Sequence, residues 1–176
     1  MAMKPTLFIF CGLPFSGKTT LANLLSRKFG WPIVDLDQIN SQRDLGRDGQ
    51  AISAKDWAKT YELSYKKTAE LLNKDKSVIY DATNFTFDQR QKLKDIAQRN
   101  KALARVLYVN VSEDEARRRL LKNRREEGRY DVRDEDFEEV AKNFQAPAQK
   151  EQPLEYNYSA SMKEWIRNNF TNATSR

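Results

Sequence analysis

The chain predicts an α/β fold, a parallel sheet of about five strands with helices on both faces. Three observations predict it. Short apolar runs rich in β-favouring residues alternate with segments of helical periodicity, the pattern of strands joined by crossover helices. The first run, Thr6–Cys11, leads into Gly12-Leu13-Pro14-Phe15-Ser16-Gly17-Lys18-Thr19, which matches G-x-x-x-x-G-K-[ST] without a mismatch. Beyond it, Leu21, Leu24, Leu25 and Phe29 recur at helical spacing. Strand, glycine loop and helix thus follow in the order that a phosphate-binding loop requires.

The remaining elements follow from the same rules. The first helix covers Lys18–Phe29 and stops at Gly30, with Trp31-Pro32 beyond it. A short second strand, Ile33–Asp35, leads into Leu36-Asp37. Residues 40–53 are polar, contain Gly46 and Gly49, and read as a loop or short irregular helix near the site. A helix over 55–73 places Trp57, Tyr61, Tyr65, Thr68, Ala69 and Leu72 on one face. The third strand, 77–80, ends at Asp81, a helix over 87–100 carries Leu93, Ile96 and Ala97, and the fourth strand spans 104–109.

From 112 to 143 the chain becomes charge-dense. Ser112 caps a helix whose first turn is acidic, and Glu115 stands at capping-box distance from it. Arg117, Arg118, Arg119, Lys122, Arg124, Arg125 and Arg129 follow. Gly128 interrupts this helix, and another starts near Asp134 and runs to Phe144. Pro147 and Pro153 bracket a polar connector before a short last strand at 154–158 and a final helix at Met162–Phe170. No repeat or linker divides the chain, so residues 1–176 read as one domain with a lid at about 113–144.

Composition narrows the function. There is no histidine, which removes the commonest general base, His-based metal sites and the Ser-His triad. Proton abstraction then falls to a carboxylate or, ranked behind it, to Lys or Tyr. The single cysteine, Cys11, forbids an intrachain disulfide and suits a small core position. The net charge of +6 suits anionic ligands without arguing for nucleic acid alone. No apolar stretch approaches the ~20 residues of a membrane span, and the N-terminus carries no signal-peptide pattern, so the expected location is the cytoplasm.

The loop predicts a bound nucleoside phosphate. Its backbone N–H groups and the dipole of the following helix cup phosphates, so Gly12, Leu13, Pro14, Phe15, Ser16, Gly17, Lys18, Thr19 and Thr20 are the expected contacts. Lys18 would reach the β- and γ-phosphates, and the Thr19 hydroxyl would ligate Mg²⁺. In a parallel sheet the loops that follow the strands share one edge, where ligands bind. Asp35 and Asp37 after strand two and Asp81 after strand three fall there. Asp81 has the form of an acid that orients the Mg²⁺ shell, or of a cap for the next loop. Thr83 and Asn84 would hydrogen-bond a substrate or make a local turn. Asp37, or failing it Asp35, is the expected base that accepts a hydroxyl proton, and both share a face if the strand continues. One or two of Arg119, Arg124, Arg125 and Arg129 would grip the transferred phosphate while the rest pair with neighbouring acids.

The segments G-L-P-F-S-G-K-T-T, V-D-L-D and I-Y-D-A-T-N, with the arginine-rich lid, resemble those of the small P-loop kinases. These are AAA-type ATP-binding proteins that include zeta-toxin-like enzymes and the kinase domain of 5′-polynucleotide kinases. The resemblance implies a P-loop NTPase three-layer sandwich with an arginine-rich helical lid. It implies Asp37 as base, Asp81, Thr83 and Asn84 as the substrate-holding element, and Arg125 or a neighbour on the transferred phosphate. It also implies ATP and Mg²⁺ as cofactors. Where polynucleotide kinases carry an arginine three residues beyond the base, this chain has Asn40, and Arg43 is the nearest cation. Where their loop often has glycine, this chain has Phe15, whose ring must point out of the loop to cover or gate the site.

The expected function is transfer of the γ-phosphate of ATP to a hydroxyl of a small molecule or nucleotide. A 5′-hydroxyl polynucleotide kinase ranks behind it, as does a regulatory protein that binds and hydrolyses ATP without an acceptor. No membrane partner is expected.

Overall fold

The computed structural model describes residues 4–126 and 131–170. Its five strands are β1 (Thr6–Cys11), β2 (Ile33–Asp35), β3 (Val78–Asp81), β4 (Leu103–Val109) and β5 (Leu154–Tyr156). All four pairings are parallel, in the order β2-β3-β1-β4-β5. β1 is therefore central, and β3 and β4 flank it. A parallel sheet buried on both faces needs continuous apolar strands, and Leu7, Phe8, Ile9, Phe10 and Cys11 are all buried.

The helices are α1 (Lys18–Phe29), α2 (Leu36–Gln42), α3 (Ala54–Leu72), α4 (Phe87–Arg99), α5 (Glu113–Glu126), α6 (Asp134–Asn143) and α7 (Met162–Phe170). Side chains alternate along a strand, so β1 feeds two cores. Leu7, Ile9 and Cys11 pack with Val34, Leu36, Ile39, Leu72, Tyr80, Leu93 and Ile96 under α2, α3 and α4. Phe8 and Phe10 face Leu21, Leu25, Ile166 and Phe170 of α1 and α7. A third, smaller cluster joins Leu13 and Phe15 to Ala116 and Leu120 of α5 and Phe137 of α6.

Two local features bear on the site. β2 does not continue through Asp37. The Asp35 carboxylate accepts the N–H groups of Asp37 and Gln38 at 2.8 and 3.3 Å, which caps a helix and turns the chain out of the sheet. Residues 40–42 accordingly belong to α2, and Arg47–Gly49 form a 3-10 turn, the short irregular helix that this polar segment allows. The other elements agree with the reading to within about two residues, the usual scatter at helix and strand ends.

The inner seam of α3 is polar. Thr60, Ser64 and Thr68 are fully buried at four-residue spacing, and the aromatic residues lie beside them. Each hydroxyl has a partner: Thr60 Oγ1 donates to Asn40 Oδ1 at 2.5 Å, Ser64 shares a 2.7 Å bond with the Tyr80 hydroxyl, and Thr68 Oγ1 donates to the Ser64 carbonyl at 2.8 Å.

A buried ion pair closes the structure behind the strand ends. Arg90 of α4 and Glu151 are 1% and 2% exposed and meet through two hydrogen bonds of 2.9 Å. Burial pushes the Glu151 carboxyl up, but the bonds and charge of Arg90 prevail and hold it below its ordinary value. Removing one partner would strand the other charge in the interior. Arg90→Met is expected to lower unfolding stability by about 3–5 kcal/mol, and the double variant Arg90→Met/Glu151→Leu to recover most of that loss. Urea titration measures both; equal losses in the single and double variants would refute the pairing argument.

Candidate active site

β1 delivers the chain into the phosphate loop at Gly12. The Gly12 N–H donates to the Thr83 carbonyl at 3.1 Å. A Cβ at Gly12 would lie 2.6 Å from the Val109 carbonyl oxygen and 2.8 Å from Ser16 Oγ, so only glycine lets the loop pass. Gly17 has φ 99°, and a Cβ there would run into the Tyr158 hydroxyl. α1 then begins with no side-chain cap and no acid in its first turn. α2, α3 and α4 are capped by Asp35, Ser53 and Thr86. The first turn of α1 instead turns its N–H groups and positive dipole end toward whatever fills the loop, which favours an anion.

Lys18 is buried, and its ammonium donates to the carbonyls of Gly12 and Leu13 at 3.0 and 2.7 Å and to Ser16 Oγ at 3.4 Å. Thr19 Oγ1 donates to Asp81 Oδ2 at 2.8 Å. Burial, with smaller contributions from Asp35 and Asp37, pushes the Asp81 carboxyl up to about 6, against the pull of Lys18 and the Thr19 hydrogen bond. A hydroxyl beside a carboxylate is a hard-oxygen donor pair of the kind Mg²⁺ prefers. Among the described residues no group of three or more acidic or cysteine side chains could hold a metal alone. The hydroxyl and carboxylate of Thr19 and Asp81, both oxygen donors, fit Mg²⁺ with the rest of its shell supplied by water and phosphate oxygens.

Asp35 lies in register with Asp81 across β2 and β3, but its carboxylate is engaged in capping α2. Asp37 is the second residue of α2 and exposed, and its charge acts on both Asp81 and Tyr61. Since β2 ends at Asp35, the two aspartates do not share a strand face.

Thr83 contributes its carbonyl to the loop, at Gly12. Asn84 corrects the expectation of a substrate contact through its amide. It is 3% exposed with φ 42°, its Nδ2 donates to the Phe10 carbonyl at 2.6 Å, and its own carbonyl accepts from Arg90 Nη1 at 2.9 Å. Its side chain buttresses β1. Arg43 is likewise committed within the fold. It donates to the Asp56 carbonyl, Thr60 Oγ1 and the Asp56 carboxylate at 2.7, 2.6 and 3.2 Å, which fastens the end of α2 to α3.

The lid arginines divide by partner. Arg117 pairs with Glu113 and Glu138, and Arg118 with Glu115. Arg124 binds Asp131, Asp134 and the Val132 carbonyl, and so ties α5 to the start of α6 rather than facing the loop. Arg125 is exposed on the last turn of α5. Arg129 and Gly128 lie outside the described residues. Arg119 reaches the phosphate loop itself: its Nη1 donates to the Ser16 and Phe15 carbonyls at 3.2 and 3.4 Å and to the Tyr158 hydroxyl at 3.1 Å.

Two loop contacts differ from or add to the sequence reading. Phe15 adopts φ 61°, and its ring leaves the loop as expected, but it is buried in the cluster with Ala116, Leu120 and Phe137. It anchors the lid. Tyr158 was not singled out by its sequence. Its hydroxyl donates to the Ser16 carbonyl at 2.6 Å, and the Arg119 guanidinium sits 4.7 Å from its ring centroid. The only sequence signal for it is the turn-forming pair Asn157 and Ser159 around a residue with φ 63°.

Two outcomes are expected. The folded nucleotide-free protein holds the Asp81 proton more tightly than the unfolded chain does. Asp81 therefore contributes up to about 3 kcal/mol of stability that is fully present below about pH 4 and is lost as pH rises through 6, and Asp81→Asn removes that contribution relative to the wild type. Urea unfolding in EDTA across that range tests the sign. Phe15→Ala is expected to speed amide exchange in α5 and α6 by roughly tenfold or more, since losing a buried Phe ring costs about 3 kcal/mol or more. Exchange in β1 and β3 should change far less; an equal rise there would count against a lid anchor.

Comparison with known proteins places this geometry in a family. No curated protein sequence matches the chain. Among solved structures, Chaetomium thermophilum Kti12 in complex with ADP-AlF3 aligns with TM-score 0.74 at 20% identity, over 95% of this chain and 96% of that one. The Mycobacterium tuberculosis APS kinase CysC, solved with AMPPNP and APS, aligns with TM-score 0.69 at 16% identity, over 98% and 99%. A gluconokinase from Sinorhizobium meliloti aligns with TM-score 0.67 at 14% identity, over 93% and 89%. At these identities the likeness is one of fold. The AAA domain family model matches residues 7–147, from β1 through the lid, and the chain therefore belongs to the AAA domain family.

Proposed function

We propose that the chain is an ATP-dependent phosphotransferase that moves the γ-phosphate to a hydroxyl of a small molecule or nucleotide. One observation carries this reading. An uncapped helix start, Lys18 and the Thr19–Asp81 pair stand at the same sheet edge as the exposed carboxylate of Asp37. The fold shared with a gluconokinase and an APS kinase supports it.

The loop amides and the first turn of α1 would bind the β- and γ-phosphates of ATP. Lys18 would exchange its loop acceptors for phosphate oxygens, and its charge would stabilise the negative charge that develops in transfer. Thr19 and Asp81 would hold Mg²⁺, which when bound neutralises phosphate charge. Asp37 would accept the acceptor's hydroxyl proton as that oxygen attacks the γ-phosphorus and the bond to the β-phosphate oxygen breaks, releasing ADP. Arg119 would fix the outer wall of the loop through the Phe15 and Ser16 carbonyls. Arg125, on the lid's last α5 turn, is the arginine proposed to meet the transferred phosphate.

The test is γ-phosphate transfer from labelled ATP to sugars, nucleosides and 5′-hydroxyl oligonucleotides. Lys18→Met is expected to abolish it. Asp37→Asn is expected to lower kcat by about 10²-fold or more with KM for ATP little changed. Asp35→Asn should retain activity, because Asn caps a helix as well as Asp does. The reverse pattern would move the base to Asp35. ATP consumption with no acceptor in any class would sink the kinase reading.

A further inference from the structure

α3 carries aromatic residues at 57, 61 and 65, one helical turn apart. Trp57 and Tyr61 have ring centroids 6.0 Å apart, Tyr61 and Tyr65 5.9 Å, and Tyr65 stacks on Tyr80 of β3 at 6.3 Å. The lower end of this ladder is core, since Tyr80 is fully buried. The upper rings are only half-buried. Trp57, Tyr61 and Tyr65 pack against the core beside the buried seam of Thr60, Ser64, Thr68 and Leu72, and each remains partly exposed.

The direction of α3 places the half-buried rings. The helix follows α2, which starts at the C-terminal end of β2, and it leads to the N-terminal end of β3. Its first turns therefore lie at the sheet edge that carries the phosphate loop. Two side chains mark the spot. Gln89 Nε2, just past the Asp81–Asn84 loop, donates to the Tyr61 hydroxyl at 3.4 Å. Burial pushes the Tyr61 phenol up to about 12, with help from Tyr65 and from the negative charge of Asp37. Tyr61 thus stands between the proposed base and the loop after β3.

We propose that Trp57 and Tyr61 form a wall against which the phosphate acceptor stacks, so that the acceptor is a hydroxyl-bearing ring compound, a nucleoside or a cyclic sugar, and not an open-chain polyol. The inference rests on Asp37 acting as the base of a kinase. Aromatic faces bind flat or apolar ring faces and leave polar edges to hydrogen bonds. A ring laid on this wall presents its edge hydroxyls toward Asp37 and Gln89. An open-chain polyol has no such face and pays the full entropy of ordering its rotors.

The experiment uses the full chain and has two readouts. Without ATP, adenosine and glucose are titrated against tryptophan fluorescence in the wild type and in Trp57→Phe; quenching seen only in the wild type reports a ligand on Trp57. With ATP, transfer is compared for adenosine, glucose and sorbitol. Trp57→Leu and Tyr61→Leu should each raise KM for the ring acceptor about tenfold. KM for ATP should hold, and Trp57→Phe, which keeps a ring, should restore most of the acceptor KM. Adenosine against glucose separates nucleoside from sugar. Sorbitol used as well as the rings, or ring acceptors used equally by wild type and both leucine variants, would overturn the wall and leave the kinase standing. Rings that quench Trp57 while nothing gains phosphate would uphold the wall and remove the kinase. Neither quenching nor transfer would remove both.

Discussion

At Gly12 the backbone passes so close to the end of β4 that a methyl group does not fit between them. That approach sets where everything else at the sheet edge can stand. The Gly12 N–H fixes the Thr83 carbonyl, the Asn84 amide holds the Phe10 carbonyl, and Arg90 grips the Asn84 carbonyl from behind. Glu151, from the segment that returns after the lid, neutralises Arg90. The loop that carries Asp81 is thereby pinned to β1 on one side and to the end of the lid on the other. The Thr19–Asp81 bond lies across two independently fixed backbones, which is what preorganised chemistry requires.

The parts legible in the sequence are those with local causes. The phosphate loop is a contiguous motif, and α1 and α7 begin and end where periodicity and Gly30 say they should. The apolar strands announced a parallel sheet. What escaped depends on residues far apart in the chain. Nothing near Asn84 says that its amide faces β1, and nothing near Arg90 names Glu151 as its partner, 61 residues away. The turn out of β2 also has a local signal. Asp35 and Gln38 have the spacing of a helix cap and its third residue, and Leu36 and Ile39 supply the apolar side.

The arginine run illustrates how little charge alone decides. Arg117, Arg118 and Arg124 all have acidic partners within the lid, at exposed sites where such pairs add little. The lid is fastened to the body largely by apolar side chains, of which Leu13 and Phe15 belong to the phosphate loop. Arg119 and Tyr158 add a polar clasp at the Ser16 carbonyl. Loop and lid are thus joined by both an apolar cluster and a polar clasp.

Phe15 holds a left-handed backbone in the loop and a buried ring in the lid, so neither can move without the other. Thermodynamic reciprocity then applies. If nucleotide binding alters the poise of the lid by some factor, the position of the lid alters nucleotide affinity by the same factor. Leu13 joins the same cluster and Arg119 clasps the loop beside it, so a glycine at this position would loosen the connection without abolishing it. With phenylalanine there, the conformation of the loop and the posture of the lid are tied through one side chain that belongs to both.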